Sequence, residues 1–154
     1  MVNFKPKNKV RLKIAAASTS HAHANVSVRD IEFAIDEPIE RGGTNLGPSP
    51  TESAVAALLG CTNVIGHKCA KKLDIDIGNL TIDAVYELDR RGVLLQEEID
   101  LPFTKITLDI VVDGPATEEQ LQQVASETAK FCAVSKMFKA SGTIIEEKWS
   151  KKIS

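Results

Sequence analysis

The chain has 154 residues, 43% of them hydrophobic and 26% charged, which suits one domain (residues 1–154) with a single sizeable core. Nineteen basic against 21 acidic residues leave a net charge of −2, so no global field draws in nucleic acid or an anionic membrane. No apolar run approaches the roughly 18 residues of a membrane-spanning helix, and no apolar core with a small-residue cleavage site follows the basic N-terminus.

Lys5, Lys7, Lys9, Arg11 and Lys13 at the start, and Lys148, Lys151 and Lys152 at the end, read as solvated ends. Residues 10–17 alternate Val10, Leu12 and Ile14 against Arg11 and Lys13, the pattern of a strand. Residues 25–29 and 31–35 repeat it through Val26, Val28 and Phe33, predicting an antiparallel meander with turns near 18–21 and at Asp30. Asp36-Glu37-Pro38 stops the last strand, because proline supplies no ladder donor. Residues 38–50 then form the longest irregular stretch, and a loop this long leading into a helix predicts an ordered site loop.

Ser49-Pro50-Thr51-Glu52 is a strong helix start. Serine accepts from free amides, proline presets φ, and Glu52 closes a capping box. The helix runs to Lys72, and residues 54–61 are apolar on every face, predicting a buried central helix whose Ala56, Ala57 and Gly60 admit a second backbone. Alternation resumes from Ile75 to Tyr86, predicting a long strand bulged near Gly78-Asn79; Arg90-Arg91-Gly92 marks a turn and residues 103–112 a half-buried strand. Asp113-Gly114-Pro115 ends that strand. Thr117 to Gln120 is a second capping box, opening a helix with a Leu121, Val124, Thr128 stripe. A short helix near 134–140 and a strand over 142–149 close the chain. Strands grouped before and after helices predict an α+β fold rather than a parallel α/β sheet.

The three cysteines, Cys61, Cys69 and Cys132, are an odd number with no close pair, which argues against a disulfide scaffold and a structural zinc site. A cytoplasmic, reducing setting follows, where cysteine chemistry is more often catalytic than architectural. Cys61 lies about two and a half turns inside the first long helix; Cys69, eight residues on, belongs to the core. Cys132 sits where one helix ends and another begins. There free amides and the helix dipole favour its ionised form, with Lys136 four residues on. His21 with His23, and His67 near Cys69, read as surface polar positions rather than a metal site, and no phosphate-binding loop or base-stacking platform is present. No cofactor is expected.

Together, Asp36-Glu37-Pro38, Gly42-Gly43, the Gly47-Pro-Ser-Pro-Thr-Glu52 run, the Ala-Leu-Leu-Gly segment ending at Cys61-Thr62, and Cys132-Ala-Val-Ser-Lys136 resemble the OsmC/Ohr family. These are the osmotically inducible protein C and organic hydroperoxide resistance proteins. The Pro-x-Glu form resembles the OsmC-like branch, and Ala133 stands where the family usually has proline. The resemblance implies an intertwined α+β homodimer with mostly antiparallel sheets wrapped around two central helices. It also implies a thiol-dependent peroxidase acting on small organic hydroperoxides. By motif position Cys61 attacks the peroxide and Cys132 resolves its sulfenic acid as a disulfide; Arg29 is the nearest match to the family's activating arginine and Glu52 the acidic partner. A dithiol reductant, such as a lipoylated protein, would restore the thiols. The alternative is a non-enzymatic dimer holding a small apolar ligand at its interface. A sulfur-to-sulfur distance beyond about 10 Å, with no arginine facing the pair, would favour that alternative.

Overall fold

A computed structural model describes residues 8–153; Lys5 and Lys7 lie outside the described residues. The chain groups into two compact units that divide after Ser53.

The N-terminal unit carries an antiparallel sheet in the order β1 (Ala15–Ser18), β2 (Ala24–Val28), β3 (Ile31–Ile35). Ala17 pairs with Asn25 and Val26 with Phe33, and Val26 is buried. The expected meander is there, but its first strand starts at Ala15 instead of Val10. Val10, Leu12 and Ile14 are 69, 89 and 64% exposed. Their alternation encodes a strand, yet a ladder needs a neighbour, and within this unit none pairs with them. Arg29, with φ 55, and Asp30 make the tight turn between β2 and β3, where the left-handed conformation matches the twist of the hairpin.

The long loop is ordered by one buried carboxylate. Asp36 is fully buried and accepts from the Glu37 amide (2.8 Å), the Thr44 amide (3.0 Å) and hydroxyl (2.6 Å), and the Leu46 amide (3.1 Å). Its own amide donates to Pro48 O (3.1 Å), so both ends of the loop are tied to one residue. Between them Pro38 leads into a single 3-10 turn (Ile39–Arg41), closed by Gly42 at φ 86, a conformation that a side chain would strain.

Helix α1 (Pro50–Lys72) begins as the sequence predicts: Ser49 N–H donates to Glu52 Oε2 (2.7 Å) and Glu52 N–H to Ser49 Oγ (3.4 Å). Its burial differs from the expectation. Val55, Leu58, Thr62, Gly66, Cys69 and Ala70 form one buried stripe, while Ala56, Ala57 and Gly60 are exposed and nothing stands within 4 Å of a Cβ built on Gly60. All-round apolarity says that a helix tolerates burial on every side; one chain supplies a partner for one side only.

The C-terminal unit continues with β4 (Leu80–Leu88), β5 (Phe103–Val112), α2 (Glu118–Phe131), α3 (Ala133–Ser141) and β6 (Ile144–Lys151). The expected strand from Ile75 starts only at Leu80. Ile75 and Ile77 are buried, but Asp74 (φ 57) and Gly78 (φ 63) turn the chain there and break the ladder geometry. β4 and β5 pair antiparallel, with Tyr86 opposite Ile106. β6 pairs parallel to β5, Ile110 opposite Trp149, because the α2–α3 connection carries the chain back over the sheet. Thr117 and Gln120 form the expected capping box on α2. One cluster joins Leu58 of α1, Ile106, Leu108 and Ile110 of β5, Leu121 and Val124 of α2, Phe138 of α3 and Trp149 of β6. Each fully buried aliphatic chain in it contributes about 1.5–3 kcal/mol.

Candidate active site

Two of the sequence-singled residues meet in the C-terminal unit. Cys132 Sγ and Cys61 Sγ stand 2.9 Å apart, although 71 positions separate them in the chain. Both are free thiols, Cys61 half-buried and Cys132 buried.

Cys132 is held at every polar atom. As the last residue over α2 it donates its amide to Thr128 O (2.9 Å), and as N-cap of α3 it accepts Lys136 N–H on its carbonyl (3.0 Å). Its sulfur accepts the Ser135 amide (3.4 Å) and donates to Cys61. The helix end was expected to favour the thiolate here, and the structure overturns that expectation. Burial pushes the Cys132 thiol up to about 11, reinforced by the neighbouring Cys61 sulfur, and the Ser135 amide only partly offsets it. Desolvation of the charged form outweighs one amide dipole. Cys132 is therefore a thiol at neutral pH, and Cys61, the more accessible sulfur, accepts its proton in a hydrogen bond. Cys69 is buried, and Lys136 is exposed.

The other two residues lie in the N-terminal unit. Arg29 occupies the exposed β2–β3 turn and makes no ion pair among the described residues. Glu52 is engaged by Ser49, whose amide and hydroxyl hold its carboxylate below the usual range, with a smaller contribution from the charge of Arg41. Sequence reasoning passed over Arg41. It ion-pairs with Glu37, four residues earlier across the 3-10 turn, and that contact raises its own affinity for protons. The only trace of it in the sequence is its place in the loop just before Gly42-Gly43.

His23 is the second residue whose role the sequence understated. Its Nδ1 stands 3.3 Å from Asp36 Oδ2 and its Nε2 3.0 Å from Asn25 Oδ1. The Asn25 contact, followed by Asp36, raises its pKa above the ordinary 6.5. Asp36 is held well below the carboxylate range, chiefly by the Thr44 hydroxyl and then by the Leu46 amide and His23. His67 bridges within the C-terminal unit, Nδ1 to Asn63 O (2.9 Å) and Nε2 to Gly78 O (3.0 Å).

A family model described as OsmC-like protein matches residues 43–148. The chain belongs to the OsmC-like family. No curated protein matches it, but solved structures do, at identities that speak for the fold. An OsmC-like protein from Mycoplasma pneumoniae superposes with a TM-score of 0.78 at 14% identity, covering 96% of this chain and 100% of the other. An organic hydroperoxide resistance protein OsmC from Legionella pneumophila gives 0.66 at 16% identity, covering 96% and 100%. The organic hydroperoxide resistance protein OhrB of Bacillus subtilis gives 0.58 at 22%, covering 93% and 98%. The α+β architecture with its two small sheets is thus that of OsmC-like structures, and no helix among the described residues is long and apolar enough to cross a membrane.

Proposed function

We propose that this OsmC-like protein is a cysteine-dependent peroxidase that reduces organic hydroperoxides. The observation that carries this reading is the 2.9 Å Cys61–Cys132 contact, in which Cys61 is the more accessible sulfur. A distance beyond about 10 Å with no cation nearby would have favoured a non-enzymatic binder of an apolar ligand; on the distance, contact favours redox chemistry. The names of the structural neighbours from Legionella pneumophila and Bacillus subtilis point to the same class of substrate.

The accessible Cys61 sulfur attacks the terminal oxygen of ROOH; an S–O bond forms, the O–O bond breaks, and the alkoxide leaves as ROH after taking a proton. Sulfur loses two electrons and becomes the sulfenic acid. Cys132 then attacks it, an S–S bond forms, and the oxygen leaves as water before further oxidation occurs. A dithiol reductant, such as a lipoylated protein, returns both thiols and becomes a disulfide itself. Arg29 and Glu52 are proposed as the pair that activates Cys61. Arg41 competes with Arg29 for that role, because its charge acts on Glu52. A second copy of the chain is the proposed partner for the small-residue face of α1, and a reducing cytoplasm the setting.

Mass spectrometry after one equivalent of cumene hydroperoxide tests the reading. A loss of two hydrogens linking Cys61 to Cys132 is expected, and Cys61→Ser should abolish it. Thiol loss no faster than that of a free cysteine, unchanged by Cys61→Ser, would sink the proposal. Arg29→Ala and Arg41→Ala, compared for the rate of that first step, decide which arginine serves.

A further inference from the structure

Several hydroxyls within the helices of this chain donate back to a carbonyl one turn earlier. Thr128 Oγ1 donates to Val124 O (2.8 Å), Ser53 Oγ to Ser49 O (2.8 Å) and Ser141 Oγ to Phe138 O (2.7 Å). Thr62 and Ser135 do not, and both are buried. Among the described residues theirs are the only buried side-chain oxygens with no hydrogen-bond partner, although Thr62 is 1% and Ser135 0% exposed. Thr62 has the environment of Thr128, a buried threonine inside a helix, and still leaves its hydroxyl unpaired. A buried hydroxyl without a partner is costly, so two of them in one small unit call for a reason.

Their positions supply one. Thr62 is the residue after Cys61, and the Ser135 amide is the one that donates to Cys132 Sγ (3.4 Å). Both residues with orphan hydroxyls are therefore neighbours of the cysteines, Thr62 next to Cys61 along α1 and Ser135 through its amide on Cys132 in α3. In the reduced protein no oxygen is present between these sulfurs. Oxidation of Cys61 brings one, and the resolving step must expel it. Cys132 is buried and donates its proton to Cys61 before the reaction; during resolution that proton has to reach the departing oxygen.

We infer that Thr62 and Ser135 are the oxygen-handling residues of the Cys61–Cys132 pair, unpaired in the reduced state because their partner is the oxygen that Cys61 acquires. This rests on the peroxidase reading. The Thr62 hydroxyl donates to the sulfenic oxygen. The Ser135 hydroxyl accepts the Cys132 thiol proton and passes its own to that oxygen. As the Cys132 sulfur bonds to Cys61, the S–O bond breaks with its electron pair on oxygen, and one water leaves; Ser135 ends as it began.

The test uses the full-length reduced protein and the variants Ser135→Ala, Thr62→Val and Ser135→Thr. Each receives one equivalent of cumene hydroperoxide and is quenched over time with dimedone, and the Cys61 adduct and the Cys61–Cys132 disulfide are counted by mass spectrometry. In Ser135→Ala the sulfenic acid should form at the wild-type rate and persist about 100-fold longer, the low end for a lost proton relay. Ser135→Thr should restore fast closure, and Thr62→Val should lengthen the lifetime several-fold. Thermal midpoints of reduced Ser135→Ala and Thr62→Val should equal or exceed that of the wild type, because the deleted hydroxyls bond to nothing there. Disulfide closure at the wild-type rate in Ser135→Ala would overturn the inference. So would a marked loss of stability, which would make the hydroxyl a structural bond. A wild-type protein in which Cys61 never forms a sulfenic acid overturns the peroxidase reading instead, and this step with it.

Discussion

Oxidising the Cys61–Cys132 pair should raise stability by an amount that the chain topology sets. The bond would link positions 71 residues apart that already touch in the reduced fold. Closing a loop of that length removes roughly 15 cal/mol/K of chain entropy from the unfolded state, or about 4.4 kcal/mol at 25 °C. For a chain of this length each kcal/mol moves the midpoint by about 2–4 °C, so the oxidised protein should melt roughly 9–18 °C above the reduced one. Differential scanning calorimetry compares protein treated with one equivalent of cumene hydroperoxide and protein kept in excess dithiol, at the same concentration. Mass spectrometry confirms the bond, and Cys132→Ser should show no such rise. A confirmed disulfide that shifts the midpoint by less than about 2 °C, or lowers it, would refute the reasoning. The sulfurs would then be near one another without being placed for a bond, and oxidation would be distorting the fold.

Three further outcomes follow from the geometry. Iodoacetamide at pH 8 should label Cys61 and leave Cys132 unmodified in the folded reduced protein, because burial holds the Cys132 thiol up to about 11; equal labelling would contradict this. The His23–Asp36 contact should give stability its own pH window. Asp36 is depressed, so its contribution is complete above its ordinary 3.8 and lost as pH falls through the lower folded value. His23 is raised, so its contribution is complete below 6.5 and lost as pH rises through the higher folded value. Urea midpoints of His23→Gln against wild type should therefore differ most between those limits and converge in alkali; a constant difference would show that charge is not involved. Gly66→Ala should destabilise by about 1–3 kcal/mol and alter Trp149 fluorescence, since the new Cβ would stand 3.1 Å from the Trp149 ring. Unchanged emission and stability would show that the indole has room to move.

Local rules carried far in this sequence wherever a feature is made by neighbours along the chain. The capping boxes at Ser49–Glu52 and Thr117–Gln120 form as read, because each is a bond between residues three apart. Strand β5 appears over its expected residues, since five turns of alternation are hard to satisfy otherwise. The misjudged elements share a different cause. Residues 10–14 have the alternation of a strand and no neighbour in their unit, and residues 75–79 bury Ile75 and Ile77 from an irregular segment that joins no ladder. Periodicity reports which side chains seek burial; it does not report whether a hydrogen-bonding partner lies alongside. The same limit hid Arg41 and His23, whose significance comes from Glu52 and Asp36, and it hid the two orphan hydroxyls altogether.

By itself, then, the sequence determined the α+β composition, the helix starts and the family motifs, and it singled out Cys61 and Cys132. All of these depend on residue type and on spacing within a few positions. Only the tertiary structure decided that Cys61 and Cys132 touch, and which one remains a thiol. Contact across 71 residues is settled by how α1 packs against the junction of α2 and α3, and protonation by how much water that packing removes. A helix N-terminus is a local invitation to negative charge, and burial is a global refusal. At Cys132 burial prevails.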